Sequence, residues 1–347
     1  MNDPGERRDL PRHGGDLDHA TARYGMPPGG WLDLSTGINP RAYPAPTVAA
    51  SDLVRLPGRD AVSRLIAAAR AAYDVPPGVG IIAVPGSEAA IGALPFVAPP
   101  GPVVVVGPTY GSHAAAWRAA GRDVAEVASI DRVDADAAIA VVANPNNPDG
   151  RTVTPDRLTE LARRLGDRGG LLVVDEAFAD LDPGIGLGPV PGGMPAVVLR
   201  SFGKFHGLPG LRLGFVAGHR ATLDRLAAVF GDWPVSGPAL SIGQAALADR
   251  GWREATRRRL AEDAARLRAL LAAAGLTIAG GTDLFALIAD AGAGALHAGL
   301  ARQGVWTRAF ADRPEWLRFG LPADGAGFAR LERALVAITP AASALAR

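Results

Sequence analysis

Between Ile81 and Ala217, short apolar runs alternate with stretches whose apolar residues return at helical spacing. The runs are Ile81–Val84, Val103–Val106, Val124–Val127, Ile139–Ala143, Leu171–Asp175, Ala196–Arg200 and Gly214–Ala217, and they are rich in Val and Ile. Several are apolar throughout instead of alternating, which predicts strands covered on both faces, as in a parallel sheet. Helical patterns over Glu88–Val97, Ser112–Ala120 and Pro155–Leu165 fall between the runs. That order predicts an α/β sheet domain over residues 46–225. Just ahead of the first run, Val62, Leu65, Ile66, Ala69 and Ala72 line one face of a helix over Asp60–Tyr73.

The flanks differ from this centre. Residues 1–45 are rich in Gly and Pro with little periodicity, and they predict an N-terminal arm that crosses a larger body. After residue 225 the elements are fewer and smaller. A long helix over Trp252–Ala274 carries Leu260, Leu267, Leu270 and Leu271 on one stripe. Strands at Leu276–Ala279, Leu284–Ile288 and Trp316–Gly320 and helices at Ala295–Gln303 and Ala326–Ile338 complete a second, smaller α+β domain over 226–347.

Composition narrows the chemistry. The 347 residues are 48% hydrophobic and 20% charged, as in ordinary globular proteins. A net charge of +1 gives no strong pull toward nucleic acid or a membrane surface. Cysteine is absent, which excludes disulfides, thiolate metal sites and cysteine nucleophiles, and is compatible with a cytoplasmic location. Met1–Arg12 is polar and lacks the apolar core of a signal peptide. No stretch of about 18 apolar residues is free of Gly, Pro or charge, so no membrane span is expected.

The six histidines form no ligand pair at helical spacing, no Gly-x-Ser-x-Gly elbow is present, and no metal site is expected. A nucleotide-binding oxidoreductase is a weak competitor. Gly184-Ile185-Gly186-Leu187-Gly188 does not sit between a strand and a helix, and Gly292-Ala293-Gly294-Ala295 lacks the full glycine spacing. A non-catalytic sensor built on the same fold finds no DNA-binding motif to support it.

The informative segment is Ser201-Phe202-Gly203-Lys204-Phe205-His206-Gly207-Leu208-Pro209-Gly210-Leu211-Arg212-Leu213-Gly214, placed between two apolar runs. An ammonium among apolar residues is costly without a partner. Desolvation lowers an amine's pKa, and a neutral amine attacks aldehydes. Arg212 offers a planar fork suited to phosphate. On residue types alone, a surface turn with a solvated Lys and Arg explains the segment equally well.

The full spacing resembles the cofactor-lysine signature of class I and II aminotransferases, element for element from Ser201 through Lys204 and Arg212 to Gly214. Other stations of that family follow in order. Asn144-Pro145-Asn146-Asn147-Pro148-Asp149-Gly150 is similar to the family's Asn-Pro-Thr-Gly turn, with Asp149 in place of Thr. Val173-Val174-Asp175-Glu176-Ala177-Phe178 ends a strand with a carboxylate, and Phe178 stands where the family usually has Tyr. Pro85-Gly86-Ser87-Glu88 opens a helix, Pro108-Thr109-Tyr110 supplies an aromatic ring, and Trp316-Leu317-Arg318-Phe319-Gly320 places an arginine in a strand.

The resemblance covers residues 13–338. It implies a fold type I enzyme, with a large domain whose mostly parallel seven-stranded sheet is flanked by helices and a smaller α+β domain. It implies pyridoxal 5′-phosphate held as a Schiff base on Lys204. Ser87 and Glu88 amides, Ser201 and Arg212 then hold the cofactor phosphate. Asp175 pairs with the ring nitrogen, Asn147 with the phenolic oxygen, and Tyr110 stacks on the ring. Arg318 takes a substrate carboxylate. The family also implies a homodimer, although Leu56 replaces a Tyr that reaches the partner's cofactor phosphate.

His13-Gly14-Gly15-Asp16, Asp33-Leu34-Ser35-Thr36-Gly37-Ile38-Asn39-Pro40 and Arg55-Leu56-Pro57 are similar to a cobalamin-pathway branch of this family. That branch implies decarboxylation of a phosphoamino acid, L-threonine O-3-phosphate, to (R)-1-amino-2-propanol O-2-phosphate. His13, Gly37, Asn39, Asn147 and Arg308 then join Arg318 as substrate contacts, with the arm contributing to the small domain and the site. The alternative within the family is a histidinol-phosphate or other aminotransferase.

Overall fold

The structure is a computed structural model that describes residues 10–11, 13–186 and 193–338. Residues 1–9 and 12, which dominate the polar N-terminal segment, lie outside the described residues, as do Leu187 and Gly188 of the first glycine-rich run. The chain groups into two units, Ala42–Arg257 and, from its two ends, Met1–Arg41 with Arg258–Arg347.

After a two-residue strand in the smaller unit, β1 (Leu32–Asp33), the larger unit supplies β2 (Gly80–Val84), β3 (Val103–Val106), β4 (Val124–Val127), β5 (Ile139–Ala143), β6 (Leu171–Asp175), β7 (Ala196–Ser201) and β8 (Gly214–Gly218). These seven form one sheet in the order β2-β8-β7-β6-β5-β3-β4. Only β8 runs antiparallel to its neighbours. Each strand matches one of the expected runs to within a residue at either end. β3, β5, β6, β7 and β8 are buried at every position, as continuous apolarity demands when both faces are covered. The outermost strand β4 carries exposed Glu126, a charge that blunts a sheet edge.

Alternate strand residues face opposite layers. Val105, Val141, Val173 and Leu199 pack with Ile91, Leu94, Trp117 and Leu226 from the helices Ser87–Val97, Ser112–Ala119 and Arg220–Phe230. Val104, Val142, Val174 and Val198 pack with Leu158, Leu161 and Leu165 of the helix Pro155–Gly166, whose apolar residues recur on one face.

The boundary expected at 225/226 falls inside the helix Arg220–Phe230, and the larger unit continues to Arg257. Leu226 is committed to the sheet core, and Leu240 and Leu247 of the helix Gly237–Ala248 pack with Leu65 and Phe215. That second helix is apolar nearly all round, so it offers no stripe to read. The arm also holds an unexpected helix, Leu17–Tyr24, capped by the Asp16 carboxylate on the His19 N–H (2.9 Å). Only Ala20 of it is buried, which explains the weak periodicity.

The chain enters the smaller unit along the helix Arg250–Ala273. There β9 (Ile278–Thr282), β10 (Phe285–Ala289), β11 (Val305–Trp306), β12 (Arg308–Ala309) and β13 (Trp316–Gly320) follow. β12-β13-β10-β9 make an antiparallel sheet, while β11 pairs in parallel with β1. Helices Ala293–Arg302 and Gly325–Ile338 complete the unit. No helix among the described residues is long and apolar enough to cross a membrane.

Candidate active site

In the large sheet, β2, β3, β5, β6 and β7 point the same way, so their carboxyl ends share one edge, where open α/β sheets place their ligand crevice. Every cofactor residue expected from the sequence lies on that edge. Ser87 and Glu88 follow β2, Tyr110 follows β3, and Asn147 follows β5. Asp175 is the last residue of β6 and Ser201 the last of β7. Lys204 sits on the single-turn helix Phe202–Phe205 that leaves β7, and Arg212 stands just before β8. Register ties the pieces together, since Gly214 pairs with both Val84 and Ser201, and Asp175 pairs with Ala143 and Leu199.

Arg212 adopts a left-handed conformation (φ 54°), uncommon for a residue with a side chain. That twist brings its guanidinium to the start of the helix Ser87–Val97. A Cβ on Gly86, itself at φ +87°, would meet Arg212 Nη2 at 3.0 Å. Gly214 is equally constrained, because a Cβ there would lie 2.6 Å from the Ser87 nitrogen. The helix cap at Gly86 has no side chain to occupy the first-turn N–H groups. A guanidinium facing a helix N-terminus sets positive against positive, which a phosphate between them would turn into attraction.

The Asp175 carboxylate is buried and held twice. Its Oδ2 lies 2.9 Å from His113 Nε2, and its Oδ1 accepts the Ala177 N–H at 3.0 Å. His113 is buried and meets the Tyr110 ring edge-on at 6.1 Å. Burial pushes the Tyr110 phenol up to about 12. The Asn147 turn is locked by its neighbours. Asn146 donates to the Asp149 carboxylate (2.7 Å) and the Pro108 carbonyl (2.9 Å), and accepts from the Thr109 hydroxyl (2.6 Å). Asp149 also pairs with Arg151 at 2.5 Å. The departure from Thr at position 149 therefore supplies an anchor that ties the Asn147 turn to the Tyr110 segment.

Sequence reasoning passed over His113, Asn146 and the surroundings of Lys204. Phe202 and Phe205 are buried on either side of the half-buried lysine. His206 is fully buried, stacked on Phe202 at 4.2 Å and on Trp252 at 5.6 Å, and neither ring nitrogen has a hydrogen-bond partner among the described residues. Arg200, next to Ser201 in β7, pairs with Glu176 (2.7 Å) and Asp180 (3.6 Å), which ties β7 to the segment that follows Asp175.

Burial holds His206 down at about 4. Between about pH 6.5 and 4 the unfolded chain takes up a proton that the folded chain refuses, so stability falls as pH drops through that window. We expect a loss on the order of 2–3 kcal/mol from this residue. His206→Phe keeps the stack and has no proton to bind. Urea midpoints at pH 7 and 4.5 should therefore differ less in that variant than in the parent protein.

In the smaller unit, Arg308 and Arg318 are Cα partners across β12 and β13, which places both side chains on one face of the sheet. Arg318 is buried. Its Nη2 donates to the Ser35 carbonyl at 2.8 Å and its guanidinium lies 5.0 Å from the Phe285 ring. Arg308 donates to the Pro11 carbonyl and stands 5.2 Å from the Phe310 ring. The Ser35 hydroxyl accepts the Gly15 N–H at 2.7 Å, which brings the exposed His13 segment to the Ser35–Asn39 loop. Two guanidinium groups on one sheet face suit a ligand that carries two anions.

Residues 58–338 match the family model for aminotransferase class I and II. The chain belongs to this family. It is a pyridoxal-phosphate-dependent enzyme, and the donor set at the sheet edge fits that cofactor: an arginine and uncapped N–H groups for a phosphate, a buried carboxylate, and a lysine. The chain is 44% identical over 325 residues to a threonine-phosphate decarboxylase from Sinorhizobium sp, covering 93% of this chain and 97% of that one. It is 43% identical over 330 residues to the threonine-phosphate decarboxylase of Pseudomonas aeruginosa, with the same coverage. Among solved structures, histidinol-phosphate aminotransferase from Sinorhizobium meliloti, in complex with pyridoxal-5′-phosphate, superposes with a TM-score of 0.77 at 19% identity, covering 99% of this chain and 98% of that one. The last likeness concerns the fold.

Proposed function

We propose that this enzyme decarboxylates L-threonine O-3-phosphate to (R)-1-amino-2-propanol O-2-phosphate, a step of cobalamin biosynthesis. The pairing of Arg308 with Arg318 carries the proposal, because this substrate brings two anions, a carboxylate and a phosphate, for two guanidinium forks. Identity of 43–44% over 93% of the chain to the two threonine-phosphate decarboxylases supports it.

Lys204 holds the cofactor covalently. Arg212, Ser201 and the Ser87 and Glu88 amides hold its phosphate. Asp175, oriented by His113 and the Ala177 N–H, would pair with the ring nitrogen. Asn147 donates to the phenolic oxygen, without help from a hydroxyl at Phe178, and Tyr110 covers the ring. When bound, pyridoxal phosphate supplies a sink for the electron pair left at Cα as carbon dioxide departs. His13, Gly37, Asn39, Asn147, Arg308 and Arg318 bind substrate. By fixing phosphate and carboxylate they select which bond at Cα is placed to break. The Lys204 amine is the group that would carry the proton returned to Cα.

The enzyme acts as a cytoplasmic homodimer on a small molecule, with no nucleic-acid or membrane partner. The exposed strip of Leu53, Val54 and Leu56 supports the dimer, since apolar side chains in a row are usually covered. A hydrophobic Leu56 contact takes the place of the Tyr that would reach a partner's cofactor phosphate.

The test is a pair of assays on the purified enzyme. Threonine phosphate should release carbon dioxide stoichiometrically with aminopropanol phosphate. Formation of glutamate from histidinol phosphate and 2-oxoglutarate, without carbon dioxide from threonine phosphate, would replace this function with an aminotransferase.

A further inference from the structure

We infer that the smaller unit contains an anion site of its own, a cavity in which His19 and His297 bind a small tetrahedral oxyanion of the phosphate or sulfate class. The cavity is bounded by the helices Leu17–Tyr24 and Ala293–Arg302. Its volume is about 60 Å³, and its walls include His19, Arg23, Tyr24, His297, Trp306 and Phe310. One water needs about 10–15 Å³ of such space, so there is room for about five non-hydrogen atoms and none for a nucleotide.

Both histidines bring an unused ring nitrogen to this cavity. The Nε2 of His19 and the Nε2 of His297 are buried with no hydrogen-bond partner among the described residues. His297 is 5% exposed, and its Nδ1 is engaged by the Thr307 hydroxyl at 2.8 Å. With that hydroxyl as the donor, the ring proton sits on Nε2, the nitrogen left for a ligand. A buried polar group without a partner is costly, and a hydrogen-bonded ligand removes that cost.

Charge selects the sign of the ligand. Burial first, then Arg23, Arg308 and His19, hold His297 down at about 4, so the ring is neutral at about pH 7 and stands in a positive field. The described wall residues include no carboxylate. A metal ion or an ammonium would meet two guanidinium groups without a compensating charge. An oxyanion gains from both and accepts from the Nε2–H groups. The Trp306 ring lies 4.7 Å from that of His297 and 6.1 Å from that of His19, so it reports on both. Strand β12 divides this cavity from the Arg308–Arg318 face, because Ala309, which lines the cavity, points the opposite way from Arg308. An anion also favours the charged imidazole, so binding takes up a proton at His297 and tightens as pH falls. His19, Arg23 and Arg308 are the ionisable groups that act on that ring, and the two arginines keep their charge throughout.

Sulfate is the probe, because it stays doubly charged over the pH range used. Titrated into the cofactor-loaded enzyme, it should change tryptophan emission along a single-site curve, and Trp306→Phe should abolish the response. Affinity should rise at least about threefold between about pH 8 and about pH 6. Ala298→Leu fills the cavity from a half-buried wall position and leaves both rings in place. It should weaken binding at least about tenfold. His297→Leu should do the same, as for the loss of a charge-assisted hydrogen bond, and should flatten the pH dependence. Visible absorbance of bound cofactor and the melting temperature report whether each variant is folded. If His297→Leu fails that check, Ala298→Leu decides. If both fail, Arg23→Gln, at a half-buried position, takes their place with the same tenfold criterion.

No change in emission up to about 100 mM sulfate would overturn the inference. So would a response that survives Trp306→Phe, or an affinity indifferent to pH and to the cavity variants, as for sulfate held by the Arg308–Arg318 pair. Tighter binding of zinc than of sulfate, read by the same emission, would make this a cation site and overturn it equally. None of these readouts uses the enzyme's substrate, so the inference is judged apart from the proposed decarboxylation.

Discussion

Replacing Lys204 by alanine is expected to lower turnover by at least about 10⁴-fold and to remove the visible absorbance of the purified enzyme. Two roles are lost together. A positioned proton donor contributes typically 10²–10⁴-fold, and covalent attachment of the cofactor adds the advantage of a fixed nucleophile. The fold should survive, because buried Phe202 and Phe205 anchor the single-turn helix while Lys204 is half-buried. Lys204→Arg separates charge from nucleophilicity. It keeps the positive charge, cannot form the covalent link, and should be as inactive as the alanine variant. A solvated surface turn, the competing explanation of this segment, predicts near-normal turnover in both. Turnover within about tenfold of the parent would place the chemistry elsewhere.

What the sequence disclosed, and what it withheld, follows from the range of the interactions involved. The strands were legible because Val103–Val106 and Leu171–Asp175 are buried on both faces and so are apolar without interruption. The places of Lys204, Asp175 and Asn147 at the ends of such strands were legible in the same way, while the roles expected of them came from the family resemblance. His113 was not, since its meaning lies in a partner 62 positions away in the chain. Arg259 touches Asn39 across 220 positions, and nothing local marks it among the other arginines of its helix. The pairing of Arg308 with Arg318 depends on a two-residue strand, too short for any periodicity to reveal. The helix Gly237–Ala248 escaped for the opposite reason, being apolar on nearly every side. Its packing moved the limit of the larger unit to Arg257.

Asp175→Asn should lower kcat by about 10³-fold while KM changes little, because it removes a preorganised charge that acts where electrons accumulate during bond cleavage. Asparagine is the informative replacement. It keeps the side-chain shape and an oxygen for the Ala177 N–H, which Asp175 Oδ1 now accepts at 3.0 Å. Alanine would instead leave that N–H and His113 Nε2 buried without acceptors, at a cost of about 1–3 kcal/mol each, and would confuse stability with catalysis. His113 supports the carboxylate from 2.9 Å and has no other assigned part in the chemistry. His113→Phe, which keeps the edge-on contact with Tyr110, should therefore cost about tenfold. Combined with Asp175→Asn it should cost nothing further. If Asp175→Asn stays within about tenfold of the parent in kcat, the carboxylate is a structural anchor for the end of β6. The electron sink must then be sustained without it. If the histidine and aspartate effects simply add, His113 acts on its own account and not through Asp175.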